Sequence, residues 1–360
     1  MNMLLNILAV LIGSWIVIVT FVSAVRTFVL PRGDNVWLTR ILSLQIAKTF
    51  KFLGKVIRDE SRQEAMWAYF SPLVLMLLPV VWLTLTTLGF AAIYWGIGVR
   101  PWADAFLLSG SSLLTLGYAP VKTTLQMLLS YLDATIGLML IALLIAYLPT
   151  MYAAFSRREV NVAKLQTYAG SPPSSVELLT RVHRIGGETY LQALWENWET
   201  WFAEVEESHT SFAPLSFFRS PKPERSWVTA SGAIMDAAAL RLAAIDLPFE
   251  PRAALCIRAG YLAFQSLADF FGMEYDPNPD PSDPISITRD EFEQALDELD
   301  DVGLPLKTDR DQVWRDFAGW RVNYDKVLLG IAALTRAPYA PWSSDRAEYL
   351  PIRRGRKQRV

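Results

Sequence analysis

Residues Thr115-Leu116-Gly117-Tyr118-Ala119 have the least ordinary chemistry in this 360-residue chain. They place a hydroxyl, a glycine and a phenol in quick succession between two long apolar runs. Glycine tolerates the positive φ that swings a carbonyl out of line with its neighbours. Peptide oxygens turned to one side, with a threonine hydroxyl beside them, are hard ligands suited to a hard cation. The rest of the inventory narrows the alternatives. A single cysteine, Cys256, excludes an intrachain disulfide and a multi-cysteine metal centre. The two histidines, His183 and His209, lack metal-ligand spacing, and no nucleophile–base set accompanies them. No enzymatic activity and no cofactor are expected. A net charge of −2 gives no reason to expect a nucleic-acid partner.

The elements that must position this stretch are apolar and long. The chain is 52% apolar, and the excess lies before residue 155. Crossing a bilayer takes roughly 20 apolar residues. The runs 3–25 and 71–97 are uncharged and long enough, and 124–155 has the single charge Asp133. The first run lacks a basic start and is too long for a signal peptide, so a retained helix is expected. Arg26, Arg40, Lys48 and Arg62 crowd the loop between the first two runs, and Arg157, Arg158 and Lys164 follow the third. The segment 98–123 has only Arg100 and Lys122. Excess Lys and Arg marks the cytoplasmic side. The expected topology is therefore a multi-pass plasma-membrane protein with its N-terminus outside and residues 156–360 in the cytoplasm.

Residues 102–114 are mostly apolar yet too short to span. An extracellular turn would explain Gly117 and Pro120, but it has no use for Ala105-Phe106-Leu107-Leu108. A re-entrant half-helix does, because irregular backbone at membrane depth is tolerated where it is buried in protein or lines a watery cavity. The expected fold is all-α: a membrane domain over 1–155 with three transmembrane helices and a pore loop at 101–120, then a helical cytoplasmic domain over 156–360.

The stretch 115–119 resembles the TVGYG filter of the pore-loop potassium-channel superfamily. The chain also resembles bacterial two-pore-domain-type ion-channel proteins through Tyr147-Leu148-Pro149, the run Tyr152 to Glu159 (YAAFSRRE) and Ala169 to Ser174 (AGSPPS). The resemblance implies backbone carbonyls of Thr115, Leu116, Gly117, Tyr118 and Ala119 coordinating a dehydrated K⁺, with the tyrosine ring setting the diameter. One such segment per chain implies a homotetramer. The pattern departs from the superfamily at Ala119-Pro120, where glycine and an acidic residue are usual, and at Leu114, where threonine is common. An L-residue in the left-handed region costs about 1–2 kcal/mol, so an altered outermost ion site is expected at Ala119. Preference for K⁺ over Na⁺ stays open.

Further candidates lie in the third run. Asp133 either faces a cavity or partner, as intramembrane carboxylates do, or sits hydrated at the outer interface. Gly137 is either a gating hinge or a packing contact. Pro149 removes a backbone bond and could kink the inner end. Pro79 and Gly89 read as packing features. Leu38, Leu42, Ile46, Phe50, Leu53 and Ile57 share one face of a helix expected over about 36–57, with Lys48, Lys51 and Lys55 opposite. Such a helix lies on anionic lipid headgroups or packs on the protein's own cytoplasmic domain.

Beyond 160, helices are expected at 176–185, 189–206, 232–245, 251–271 and 289–299. Leu194, Trp195, Trp198, Trp201 and Phe202 form an aromatic seam, and Thr288 with Glu291 forms a capping box. The run from Asp276 to Asp283 mimics a calcium loop without its glycine and closing glutamate, and its prolines suggest a rigid connector. Residues 353–359 make a basic tail. No glycine-rich nucleotide fingerprint is present.

Overall fold

The computed structural model describes residues 3–28, 37–57, 62 and 66–351. The expected basic tail lies outside them. Twelve α-helices follow one another among the described residues, and no strand forms; Ile245 and Leu306 make an isolated antiparallel bridge. The chain divides into two compact units, Met1–Ala153 and Ala154–Val360.

The first unit contains α1 (Met3–Phe28), α2 (Trp37–Val56), α3 (Phe70–Gly96), α4 (Trp102–Leu113) and the start of α5 (Thr124–Ala169). Three of these, α1, α3 and α5, are long and apolar enough to cross a membrane. Helices α1 and α3 pack antiparallel with glycines at their crossing. A Cβ on Gly13 would meet the Gly89 carbonyl oxygen at 2.4 Å, and one on Gly96 would meet that of Asn6 at 2.7 Å. Small residues let apolar helices approach closely where no hydrophobic force drives them together. Gly89 is thus a packing residue, as its place in the run suggested. Trp82 adds a buried hydrogen bond from Nε1 to Ser23 Oγ, 3.3 Å.

Helix α2 packs part of the 36–57 stripe on its neighbour α3. Ile46 and Phe50 are buried against Val74, with Leu42, Trp67 and Phe70 around them. The stripe finds its apolar partner in α3, within the first unit, while Phe52, Leu53 and Lys48 remain exposed. The Lys51 and Lys55 side chains lie outside the described residues.

Helix α5 differs from expectation. It runs unbroken through Pro149 and on to Ala169, past the expected end near 155. Its lower part opens the second unit, where α6 (Ser175–Arg184), α7 (Glu188–Ser211), α8 (Trp227–Ala243), α9 (Pro251–Phe271), α10 (Arg289–Asp301), α11 (Arg310–Arg321) and α12 (Asp325–Thr335) enclose one apolar core. Trp195, Trp198, Trp201 and Phe202 are all buried there, and the rings of Trp198, Trp201 and Phe202 lie 4.4–5.9 Å apart. Helix α8 is buried along its whole length, which accounts for its alanine-rich sequence. The Thr288–Glu291 capping box forms in full.

Candidate functional site

Helix α4 is twelve residues long and buries Ala105, Leu108, Ser109, Ser111, Ser112 and Leu113. Ala105 and Leu108 pack on Phe90, Ile93 and Tyr94 of α3 and on Val17 of α1. The chain then curls back on the helix end. The amides of Leu116 and Gly117 donate to the Ser111 carbonyl at 2.8 and 3.3 Å. Those of Tyr118 and Ala119 donate to Ser111 Oγ, both at 3.1 Å. One buried serine therefore collects four successive amides.

This has a direct geometric consequence. These peptides are trans, and in a trans peptide the carbonyl points opposite to the following amide. With the amides of 116–119 turned toward Ser111, the carbonyl oxygens of Thr115, Leu116, Gly117 and Tyr118 turn away from it. The Leu116 and Tyr118 side chains are more than half exposed in the single chain.

The backbone strain sits at Thr115. Gly117 has φ +69°, which suits a glycine, but the second left-handed residue is Thr115 at φ +56°. A β-branched residue there is an outlier, at a cost of order 1–3 kcal/mol. Ala119 stays outside the left-handed region and packs its methyl on the α3–α4 cluster. Ser111 is the residue that sequence reasoning missed. A serine two residues before the end of a short helix, followed by a glycine-containing turn, was the available signal.

Helix α5 contacts this assembly through two of the sequence candidates. Gly137 lies against the end of α4: a Cβ there would meet the Leu113 carbonyl oxygen at 2.1 Å. Close approach accounts for the glycine. Asp133 is fully buried, which removes the hydrated-interface reading. It lies beside Ser109 of α4, with Tyr94 of α3 within electrostatic reach. Asp133 Oδ1 and Oδ2, Ser109 Oγ and Tyr94 OH all lack a hydrogen-bond partner. Ser112 Oγ is satisfied by Ser130 Oγ at 2.7 Å and the Leu108 carbonyl. Pro149 is exposed and lies apart from this group.

The second unit places Arg158 where the expected motif ends. Its guanidinium is buried and bonds Glu159 Oε1 (2.9 Å), the carbonyls of Leu215 (2.9 Å) and Phe218 (2.7 Å), and His209 Nε2 (3.1 Å). His209 is a core residue: burial and the adjacent Arg158 charge hold its pKa well below the ordinary value. His183 is only partly buried. A second buried guanidinium, Arg321, bridges Asp236 and Asp325 and bonds the Trp342 carbonyl. In the 276–283 run, Asp276 and Asp280 accept from the amides of Asn278 and Ser282, so these carboxylates cap their own turns. Comparison with protein-family models, curated proteins and solved structures finds no match to this chain.

Proposed function

We propose that this protein is a subunit of a passive cation channel of the plasma membrane, with potassium as its foremost ion. The ions pass as dehydrated cations along the peptide oxygens of Thr115 to Ala119. The observation that carries this reading is the turning of four successive amides toward Ser111, which faces the opposing carbonyls away from the protein's own packing. Such oxygens replace the water that a cation sheds. The C-terminal end of α4 adds partial negative charge nearby.

One segment per chain supplies one wall of a path, so the reading requires a homotetramer around a central axis. The exposure of α5 agrees with it, since only 17% of its most apolar stretch is buried within the single chain. Helices α1, α3 and α5 cross the membrane with the N-terminus and the 98–123 segment outside. The second unit is then cytoplasmic, and it sets assembly or gating.

The test is a reversal-potential measurement on purified protein in planar bilayers under opposed K⁺ and Na⁺ gradients. The expected result is a cation current that Gly117→Ala abolishes. A Cβ at Gly117 meets nothing within 4 Å, so the substitution acts through the backbone angle alone. Intact tetramers that pass no current at any voltage would reject conduction in favour of a membrane-anchored scaffold that keeps a degenerate pore.

A further inference from the structure

We propose that Tyr94, Ser109 and Asp133 form a binding site for a small monovalent cation of the sodium class, buried between α3, α4 and α5. Each helix supplies one side chain, and the oxygens of all three are without hydrogen-bond partners. Asp133 makes no ion pair among the described residues, so its charge has no protein counter-charge there. Burying an unpaired carboxylate in an apolar interior is among the most expensive arrangements a chain can adopt.

The surroundings define what relieves that cost. The polar groups near the carboxylate, Ser109 Oγ and Tyr94 OH, are oxygens, hard donors, which favour a hard cation over a soft metal. The site has one negative charge, so a monovalent ion balances it and a divalent ion leaves an excess buried. The geometry agrees. Ser109 Oγ lies beside the carboxylate, and Tyr94 OH, next to Ser112, stands within electrostatic reach of it. Occupancy would tie α4 to the two helices flanking it. The site stands on these contacts within one chain and does not require that the 115–119 loop conduct.

Thermal unfolding of the full-length protein in detergent, followed by tryptophan fluorescence, tests the site. NaCl replaces N-methyl-D-glucamine chloride at constant ionic strength without potassium. A ligand of the folded state raises the midpoint saturably. Wild type and Gly117→Ala are expected to show this rise, Asp133→Asn to lose it, and Ser109→Ala to need severalfold more Na⁺. An unchanged Na⁺ response in Asp133→Asn overturns the site. A response lost in Gly117→Ala but kept in Asp133→Asn places the ion in the loop, which overturns the site while favouring the channel reading. A wild-type midpoint indifferent to Na⁺ but dependent on pH through Asp133 assigns a proton instead, and overturns it too. If Asp133→Asn does not fold, Ser109→Ala and Tyr94→Phe decide: no increase in half-saturating Na⁺ for either rejects the proposal.

Discussion

Gly110 and Gly137 both lie inside helices, yet their surroundings give opposite expectations. A Cβ at Gly110 meets nothing within 4 Å, whereas one at Gly137 collides with the Leu113 carbonyl at 2.1 Å. Gly110→Ala is therefore expected to stabilise the protein by about 0.5–1 kcal/mol, the helix-interior advantage of alanine. Gly137→Ala is expected to push α5 from the end of α4 and lower the midpoint. Thermal melts of both variants in detergent check the pair, and equal shifts would refute the packing role. Thr115 invites the reverse experiment: Thr115→Gly removes the left-handed penalty and should stabilise the loop by about 1–2 kcal/mol. His209 carries a pH prediction. Its folded pKa lies well below 6.5, so on acidification the unfolded chain takes up a proton first and the native state loses ground. Stability is full above pH of about 6.5 and falls as pH drops below it. Urea midpoints measured from about pH 7 to 5 should decline, and His209→Gln should flatten the decline. The Glu291 carboxylate, held at about 2 chiefly by its hydrogen bond to Arg346, loses its contribution in a separate, more acidic window.

At the scale of elements, buried guanidinium groups decide how helices are joined. Arg321 of α11 reaches Asp236 of α8 and Asp325 of α12, and Tyr324 OH donates to Asp236 at 2.8 Å. Removing the cation leaves two buried carboxylates uncompensated. Arg321→Met is expected to destabilise the second unit by about 3–5 kcal/mol, read as a drop in the urea midpoint. The triple variant that adds Asp236→Asn and Asp325→Asn to Arg321→Met should recover part of that loss, since it removes the orphaned charges. Arg158 plays the same part for the lower stretch of α5, whose backbone carbonyl also accepts Trp201 Nε1 at 3.2 Å. The run of α5 through Pro149 forgoes one helical hydrogen bond, since proline has no amide hydrogen.

For the whole molecule, the two compact units set different demands on solvent. The second unit has its own core, from Val162 through Trp342, so residues 154–360 expressed alone should be soluble and unfold cooperatively. Circular dichroism and a tryptophan-fluorescence melt check this, and an aggregated or non-cooperative product would refute it. The first unit exposes Leu125, Leu128, Tyr131, Leu132 and Ile145 along α5, which calls for lipid, detergent or further copies of the chain.

The sequence by itself determined the long helices, because apolar length and periodicity are local properties that bilayer thickness and helical pitch translate directly. It also determined the aromatic seam, the capping box and the glycine demanded by the turn at 117, each readable from residue type and spacing. Only the tertiary structure decided that α3 covers the α2 stripe, that Ser111 gathers the loop amides, that Gly137 answers to Leu113 and that Asp133 is enclosed. The fully buried Arg321, and α11 and α12 beside it, were likewise hidden in a stretch that reads as charged surface. The physical reason is common to all of these. An amphipathic face or a lone polar residue states that a partner is required, and which partner arrives depends on groups distant in sequence that only packing brings together.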